Sequence, residues 1–226
     1  AGPREKFAYL ERSIFDVDYE AHLTVTADGV DSVAASAVNH YAPGITDSMI
    51  AALGKEQRNA LNVRYSLVGG ELVPQSYAVG ALGDEYLVNV VFFLRQALPF
   101  SGSAEQRESV EALIRFYETG KEDEFRAHSI AWLKTRGGTD YINGFVEQLK
   151  DPRGVIGNFE GMAAFVSDAE LVDRLADNAE YFEKVMPWPE QFKRKKVNRP
   201  VSNVASVLVG TGDMGPVPWA GYNLPN

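Results

Sequence analysis

Apolar residues recur at helical spacing most clearly in the middle of the chain. Leu87, Val90, Val91, Leu94 and Leu98 repeat every three to four positions, which predicts a helix over residues 84–97 that stops before Pro99. Ser103 followed by Gln106 forms a capping box for a second helix. Its apolar stripe is Val110, Leu113, Ile114 and Tyr117, and Gly120 ends it. A third helix, over 122–134, is expected to turn Phe125, Ile130 and Leu133 inward. Short loops between the three predict an antiparallel cluster.

The flanks carry a different pattern. Residues 61–65 and 72–77 enclose Gly69-Gly70 and read as a hairpin, and residues 21–25 alternate weakly before the turn signal Asp28-Gly29. Residues 32–41 are small and branched and stop at Pro43-Gly44. Thr46 then caps a short helical stretch through Leu53, closed by Gly54. Residues 141–149 and 158–166 read as strands around the turn Asp151-Pro152-Arg153-Gly154, and 204–209 form a β-branched run. Between these, one long helix is expected over 168–186, with Leu171, Leu175, Tyr181 and Phe182 as core candidates and Pro187-Trp188-Pro189 as its stop. The fold class is therefore α+β: a helical cluster packed beside a small, mostly antiparallel sheet. No repeat, low-complexity tract or clean linker divides residues 1–226, which read as a single region.

Composition narrows the classes open to such a fold. With 226 residues, 45% of them hydrophobic, the chain can bury a real core. No run nears the roughly 18 apolar residues that a membrane helix needs. Runs such as residues 90–94 are far too short, so no membrane partner is expected. The first residues are not a secretory signal, although a leader removed beforehand leaves no trace. Cysteine is absent, which removes disulfides, thiol nucleophiles and thiolate metal ligands and fits a reducing compartment such as the cytoplasm. The formal charge of −9 repels phosphate backbones, so nucleic acid is not an expected partner. One basic cluster, Lys193, Arg194, Lys195, Lys196 and Arg199, reads as a solvated turn rather than a docking patch.

Two patterns invite chemical readings that the physics does not support. Gly210-Thr211-Gly212-Asp213-Met214-Gly215 matches a dinucleotide-binding turn after a strand. That mechanism needs a helix N-terminus at the pyrophosphate, and Pro216 and Pro218 follow at once. A loop needing positive φ is the better reading. The histidines, His22, His40 and His128, are scattered and fall in no His-Glu-x-x-His motif. His128 lies on the third helix beside Phe125 and Trp132 and reads as a packed or surface histidine. Spacing neither displays a Ser-His-Asp triad nor rules one out.

Several blocks resemble the dipeptidyl peptidase III family. They are Phe116-Tyr117-Glu118-Thr119-Gly120, Ser129-Ile130-Ala131-Trp132-Leu133-Lys134, Ile142-Asn143-Gly144-Phe145-Val146-Glu147 and the Asp151-to-Gly161 block Asp151-Pro152-Arg153-Gly154-Val155-Ile156-Gly157-Asn158-Phe159-Glu160-Gly161. Pro187-Trp188-Pro189 and Ala220-Gly221-Tyr222-Asn223-Leu224-Pro225-Asn226 continue the series, and Tyr41-Ala42-Pro43-Gly44 and Asn62-Val63-Arg64-Tyr65 extend it upstream. The likeness runs in one order over about residues 30–226. It implies the β-core lobe of a two-lobed zinc peptidase that removes dipeptides from peptide N-termini. It also implies that the zinc helix of that family, with its one-residue-expanded His-Glu-x-x-x-His, lies beyond the part this chain resembles. The expectation is a peptide-binding portion that holds no zinc and is inactive by itself, its partners being a peptide with a free N-terminus and the missing C-terminal part. The alternative is a zinc-less, non-catalytic peptide-binding module.

By position, the resemblance assigns Asn223 and Asn226 to the substrate's ammonium and backbone, and Gly221 to the strand that pairs with it. Amide oxygens accept from an ammonium without adding a charge to desolvate, and backbone pairing is β-augmentation. Asp140 stands where many members have a Glu facing the same ammonium. The family tyrosine thought to steady the tetrahedral intermediate corresponds to Ile142, with Tyr141 one place earlier. On a strand, that offset turns the side chain to the other face.

Overall fold

The computed structural model describes residues 2–16, 19, 22–135, 138–166, 169–197 and 205–215. Helix α1 (Pro3–Phe15) starts with Pro at a first-turn position and Glu5 folded back onto the Gly2 amide at 2.7 Å. It buries none of its residues, and the hydrophobic pattern does not announce it. Residues 22–27 form no strand, so the weak alternation there is not used in a sheet. Short helices follow: α2 (Ser32–Ala35), α3 (Asp47–Ala51) and α4 (Lys55–Arg58). Thr46 caps α3 as expected, its hydroxyl accepting from the Met49 amide.

The hairpin at Gly69-Gly70 is β1 (Val63–Val68) against antiparallel β2 (Glu71–Ser76), with Val68 opposite Glu71. Both turn glycines have positive φ, 62° and 88°, the region such a tight connection uses. The first core lies against this hairpin. Val33, Val38, Tyr41, Ile45, Ile50, Val63, Tyr65 and Ile156 are all buried there, and the Tyr41 and Tyr65 rings stack 5.6 Å apart.

The helical cluster forms over the predicted segments: α5 (Asp84–Ala97), α6 (Ala104–Thr119) and α7 (Glu122–Trp132). Ser103 caps α6 through the Gln106 amide. Gln106 reaches past the cap and accepts from the Gly102 amide at 2.7 Å, so the box closes one residue early. Gly120 ends α6 in the left-handed region. Leu87, Val91, Val110, Leu113, Ile114, Phe116, Tyr117 and Phe145 make the second core. Each such aromatic or aliphatic side chain is worth about 1.5–3 kcal/mol on full burial. Two expected inward residues of α7, Ile130 and Leu133, are 48% and 46% exposed instead. α7 meets α6 through Phe125 against Phe116 and His128 against Ser109, and His128 and Ala131 are its buried residues.

The second sheet has order β3-β4-β5 and is antiparallel throughout: β3 (Thr139–Phe145), β4 (Phe159–Val166) and β5 (Ala205–Gly212). The strand expected to run to 149 ends at Phe145, where the chain turns into the Asp151 loop. The single small sheet of the sequence reading is thus two sheets, with the helices between them in sequence. The long helix expected over 168–186 is broken at Asn178 into α8 (Ala169–Asp177) and α9 (Ala179–Val185). Tyr181 and Phe182, expected in the core, are 59% and 46% exposed, whereas Glu183 is buried. Asn178 prefers side-chain bonding to the backbone over continuing the helix, and its Nδ2 donates to the Arg174 carbonyl. The side chains of Leu171 and Leu175 lie outside the described residues.

Candidate functional site

Strand β3 carries the sequence-predicted positions 140 and 141, held from behind by α6 and α7. Asp140 is half-buried. Its Oδ1 accepts from the Trp132 indole and from the Tyr141 amide, both at 2.8 Å, and its Oδ2 makes no hydrogen bond among the described residues. The carboxylate is therefore fixed at Oδ1. Tyr141 points into the helix pair, where its hydroxyl meets Ser109 Oγ at 2.8 Å. Ser109 is fully buried and contacts His128 Nδ1 at 2.9 Å, while that nitrogen also lies 3.1 Å from the Ser109 carbonyl. A carbonyl can only accept, so Nδ1 carries the proton. Ser109 Oγ then accepts from Tyr141 and donates to the His128 carbonyl at 3.3 Å. Burial pushes the His128 pKa down to about 4, and burial first of all raises the Tyr141 hydroxyl to about 12. His128 is a packed, neutral histidine that locks β3 onto α6 and α7.

The same strand is anchored at two further points that the sequence reading did not single out. Tyr117 donates its hydroxyl to Asn143 Oδ1 in a short hydrogen bond. Gly144 has φ 154°, and a Cβ there would run into the Phe125 ring. Ile142 borders a recess of about 390 Å³ between the sheet and Leu94, Ala97 and Phe100.

The Asp151 loop is the second built feature. Asp151 is 3% exposed and accepts from the Tyr41 hydroxyl (2.6 Å) and from the amides of Val155 and Ile156 (both 2.8 Å). Beside it the Arg153 guanidinium donates to the Arg58 carbonyl. An Asp opening an Asp-Pro-x-Gly turn is the sequence signal for such a cap; only its long-range partner, Tyr41, was hidden.

Gly210, Thr211 and Gly212 of the glycine motif, expected in a loop, finish β5, and Asp213, Met214 and Gly215 make the turn that follows. Gly212 has φ 62°, and any Cβ there would strike the Phe159 carbonyl. Met214 is 1% exposed beneath the turn. Asp213 donates its amide to the Phe159 carbonyl, pairs with Lys150 Nζ at 2.5 Å and accepts from Asn158 Nδ2 at 2.8 Å. These groups line one end of a cavity of about 670 Å³, together with His40. His40 is 6% exposed, and burial lowers its pKa.

Gly221, Asn223 and Asn226 lie outside the described residues, so the structure brings together only Asp140 and Tyr141 of the predicted set. Among the described residues no group of three or more His, Cys, Asp or Glu side chains is arranged to hold a metal ion. His40 and His128 sit in separate clusters, and the donor set described does not fit zinc. The basic cluster is partly tied back: Arg194 holds Glu183 and Lys193 holds Glu190, while Arg199 lies outside the described residues. No helix among the described residues is long and apolar enough to cross a membrane.

Over 146 residues the chain is 31% identical to dipeptidyl peptidase 3 of Dictyostelium discoideum, and over 144 residues 32% identical to that of Homo sapiens. These matches take in 63% and 62% of this chain but 21% and 19% of those proteins, so the chain spans about a fifth of the length of the curated relatives it matches. Among solved structures, dipeptidyl-peptidase III from Corallococcus sp. strain EGB matches with a TM-score of 0.65 over 88% of this chain and 38% of its own. DPP III from Caldithrix abyssi matches with a TM-score of 0.70 over 83% and 37%. Identity is 19% in both, which carries the α+β fold. Residues 76–226 match the family described as peptidase family M49, and on that match the chain belongs to peptidase family M49, the dipeptidyl peptidase III family.

Proposed function

We propose that this chain is the peptide-binding portion of a zinc-dependent exopeptidase that removes dipeptides from peptide N-termini. The observation that carries the reading is the family match over residues 76–226. Asp140 supports it locally: a half-buried carboxylate held in place by the Trp132 indole offers a substrate ammonium a fixed anionic acceptor. Gly221, Asn223 and Asn226 take the peptide backbone and ammonium on the strength of the sequence motif alone. Tyr141 is the weaker member of the set, since Ser109 already engages its hydroxyl. A zinc ion in the whole protein would supply activated water, and its ligands would come from a C-terminal part that partners this chain. What these residues do is bind the peptide in extended form and fix its N-terminus; the chain by itself does not turn substrate over. A cytoplasmic location goes with this reading.

Calorimetry with a pentapeptide tests it. The free-amine form is expected to bind the 226-residue chain, and N-acetylation to weaken it by about 10- to 100-fold, the worth of a charge-assisted hydrogen bond. Asp140→Asn and Asn223→Ala are each expected to lower affinity for the free-amine peptide. Equal binding of free and acetylated peptides would sink the assignment. A full-length protein that hydrolyses dipeptidyl-arylamides and stops when zinc is chelated identifies the enzyme; binding without turnover identifies the non-catalytic module.

A further inference from the structure

The cavity of about 670 Å³ at the end of β5 is not lined by Asp140 or Tyr141, and the peptidase reading gives it no task. Its walls are apolar and aromatic: Tyr77, Tyr86, Leu87, Val90 and Phe145. One end is polar, and two opposite charges stand side by side there. Lys150 Nζ lies 2.5 Å from Asp213 Oδ1, and the two side chains remain 43% and 19% exposed. Asp213 is held in place from three directions, by Lys150, by Asn158 Nδ2 on its other oxygen, and by its own amide bonded to the Phe159 carbonyl. His40 borders the same end. It is 6% exposed, and its Nε2 makes no hydrogen bond among the described residues.

This arrangement discriminates among ligand classes. A simple anion drawn to Lys150 meets the Asp213 carboxylate, and a simple cation drawn to Asp213 meets the Lys150 ammonium. A purely apolar molecule fills the walls and leaves the ion pair no better served. A molecule with adjacent carboxylate and ammonium groups and an apolar body complements all three features at once. Because the acceptor is already fixed, little side-chain freedom is lost on binding.

We propose that this cavity is a binding site for a free α-amino acid with a large apolar side chain. Its carboxylate sits against Lys150, its ammonium against Asp213, and its side chain between Tyr77, Tyr86 and Val90. A dissociation constant on the order of 0.1–1 mM is expected for so small a ligand.

Ligand-observed NMR and calorimetry on the whole chain test this with three probes: phenylalanine, phenylalanine amide and N-acetylphenylalanine. Phenylalanine is expected to bind saturably, and removing either charge to weaken binding by at least about tenfold. Lys150→Met, at a half-exposed side chain, is expected to abolish the preference for phenylalanine over its amide. Tyr86→Ala, at a residue 70% exposed, is expected to weaken phenylalanine more than alanine without loss of helical circular dichroism. Three results each overturn the proposal: no saturable binding of phenylalanine, equal binding of the three probes, or unchanged selectivity in Lys150→Met. None of these bears on the N-terminal preference for peptides, so this idea and the peptidase reading stand or fall separately.

Discussion

Replacing His128 by Asn keeps a polar group near the position of Nδ1 and removes a titratable ring from the junction of α6, α7 and β3. Burial lowers the pKa of that ring from 6.5 to about 4 in the folded chain. In the unfolded chain the imidazole is solvated and takes a proton near its ordinary value. Below pH 6.5 the unfolded state therefore binds the proton that the folded state refuses, and protons favour unfolding. His128's contribution is complete above pH 6.5 and is lost as pH falls toward 4. The full loss is about 3 kcal/mol, of which about 2 kcal/mol falls between pH 7 and pH 5. The side chain is 6% exposed, so solvent screening does not erase this difference. Urea denaturation of wild type and His128→Asn at pH 7, 6 and 5 measures it, because distant carboxylates contribute equally to both and cancel. The variant should be less stable at pH 7, having lost ring contact with Phe125 at 5.5 Å, and the gap should narrow by about 2 kcal/mol at pH 5. Parallel pH profiles would falsify the assignment of His128 as a buried neutral residue.

Other substitutions test the two loops that hold the sheet. Asp151→Ala removes the acceptor of the Tyr41 hydroxyl and of three loop amides and should cost about 3–5 kcal/mol, against about 1 kcal/mol for Tyr41→Phe, both read by urea midpoint. An Asp151→Ala cost no larger than that of Tyr41→Phe would show that the loop amides find water easily. Gly212→Ala places a methyl group at φ 62° against the Phe159 carbonyl and should lower stability by at least about 2 kcal/mol, whereas Gly154→Ala, at φ 63° with open space around it, should cost only about 1 kcal/mol. Equal melting temperatures for the two alanine variants would refute the close approach.

Much of the helical cluster was legible because local signals and long-range packing agree there. Leu87, Leu113 and Tyr117 sit on stripes at helical spacing and face the core, and Ser103 and Gly120 bound α6 through short-range hydrogen bonds. α7 was less legible. Its acidic first turn and apolar spacing announce a helix but not which face meets α6, so Ile130 and Leu133 face solvent while His128 is buried. Spacing alone also gives no sign that Asn178 interrupts the helix between 169 and 185.

The candidate site divides along the same line. The sequence by itself determined the α+β class, the hairpin at Gly69-Gly70, the absence of cysteine chemistry and, through the motif blocks, the family. It also marked the positive φ of Gly212, although it expected a loop there and the structure makes Gly212 the last residue of β5. Only the tertiary structure decided that Tyr141 spends its hydroxyl on Ser109, that Tyr41 caps a turn 110 residues away, and that Lys150, Asn158 and Asp213 converge on one cavity. The physical reason is one of range. Helix caps, turns and stripes are fixed by residues a few positions apart, whereas a buried hydroxyl or carboxylate must find whatever partner the packed chain brings within hydrogen-bond distance, and that partner's position in the sequence carries no local mark.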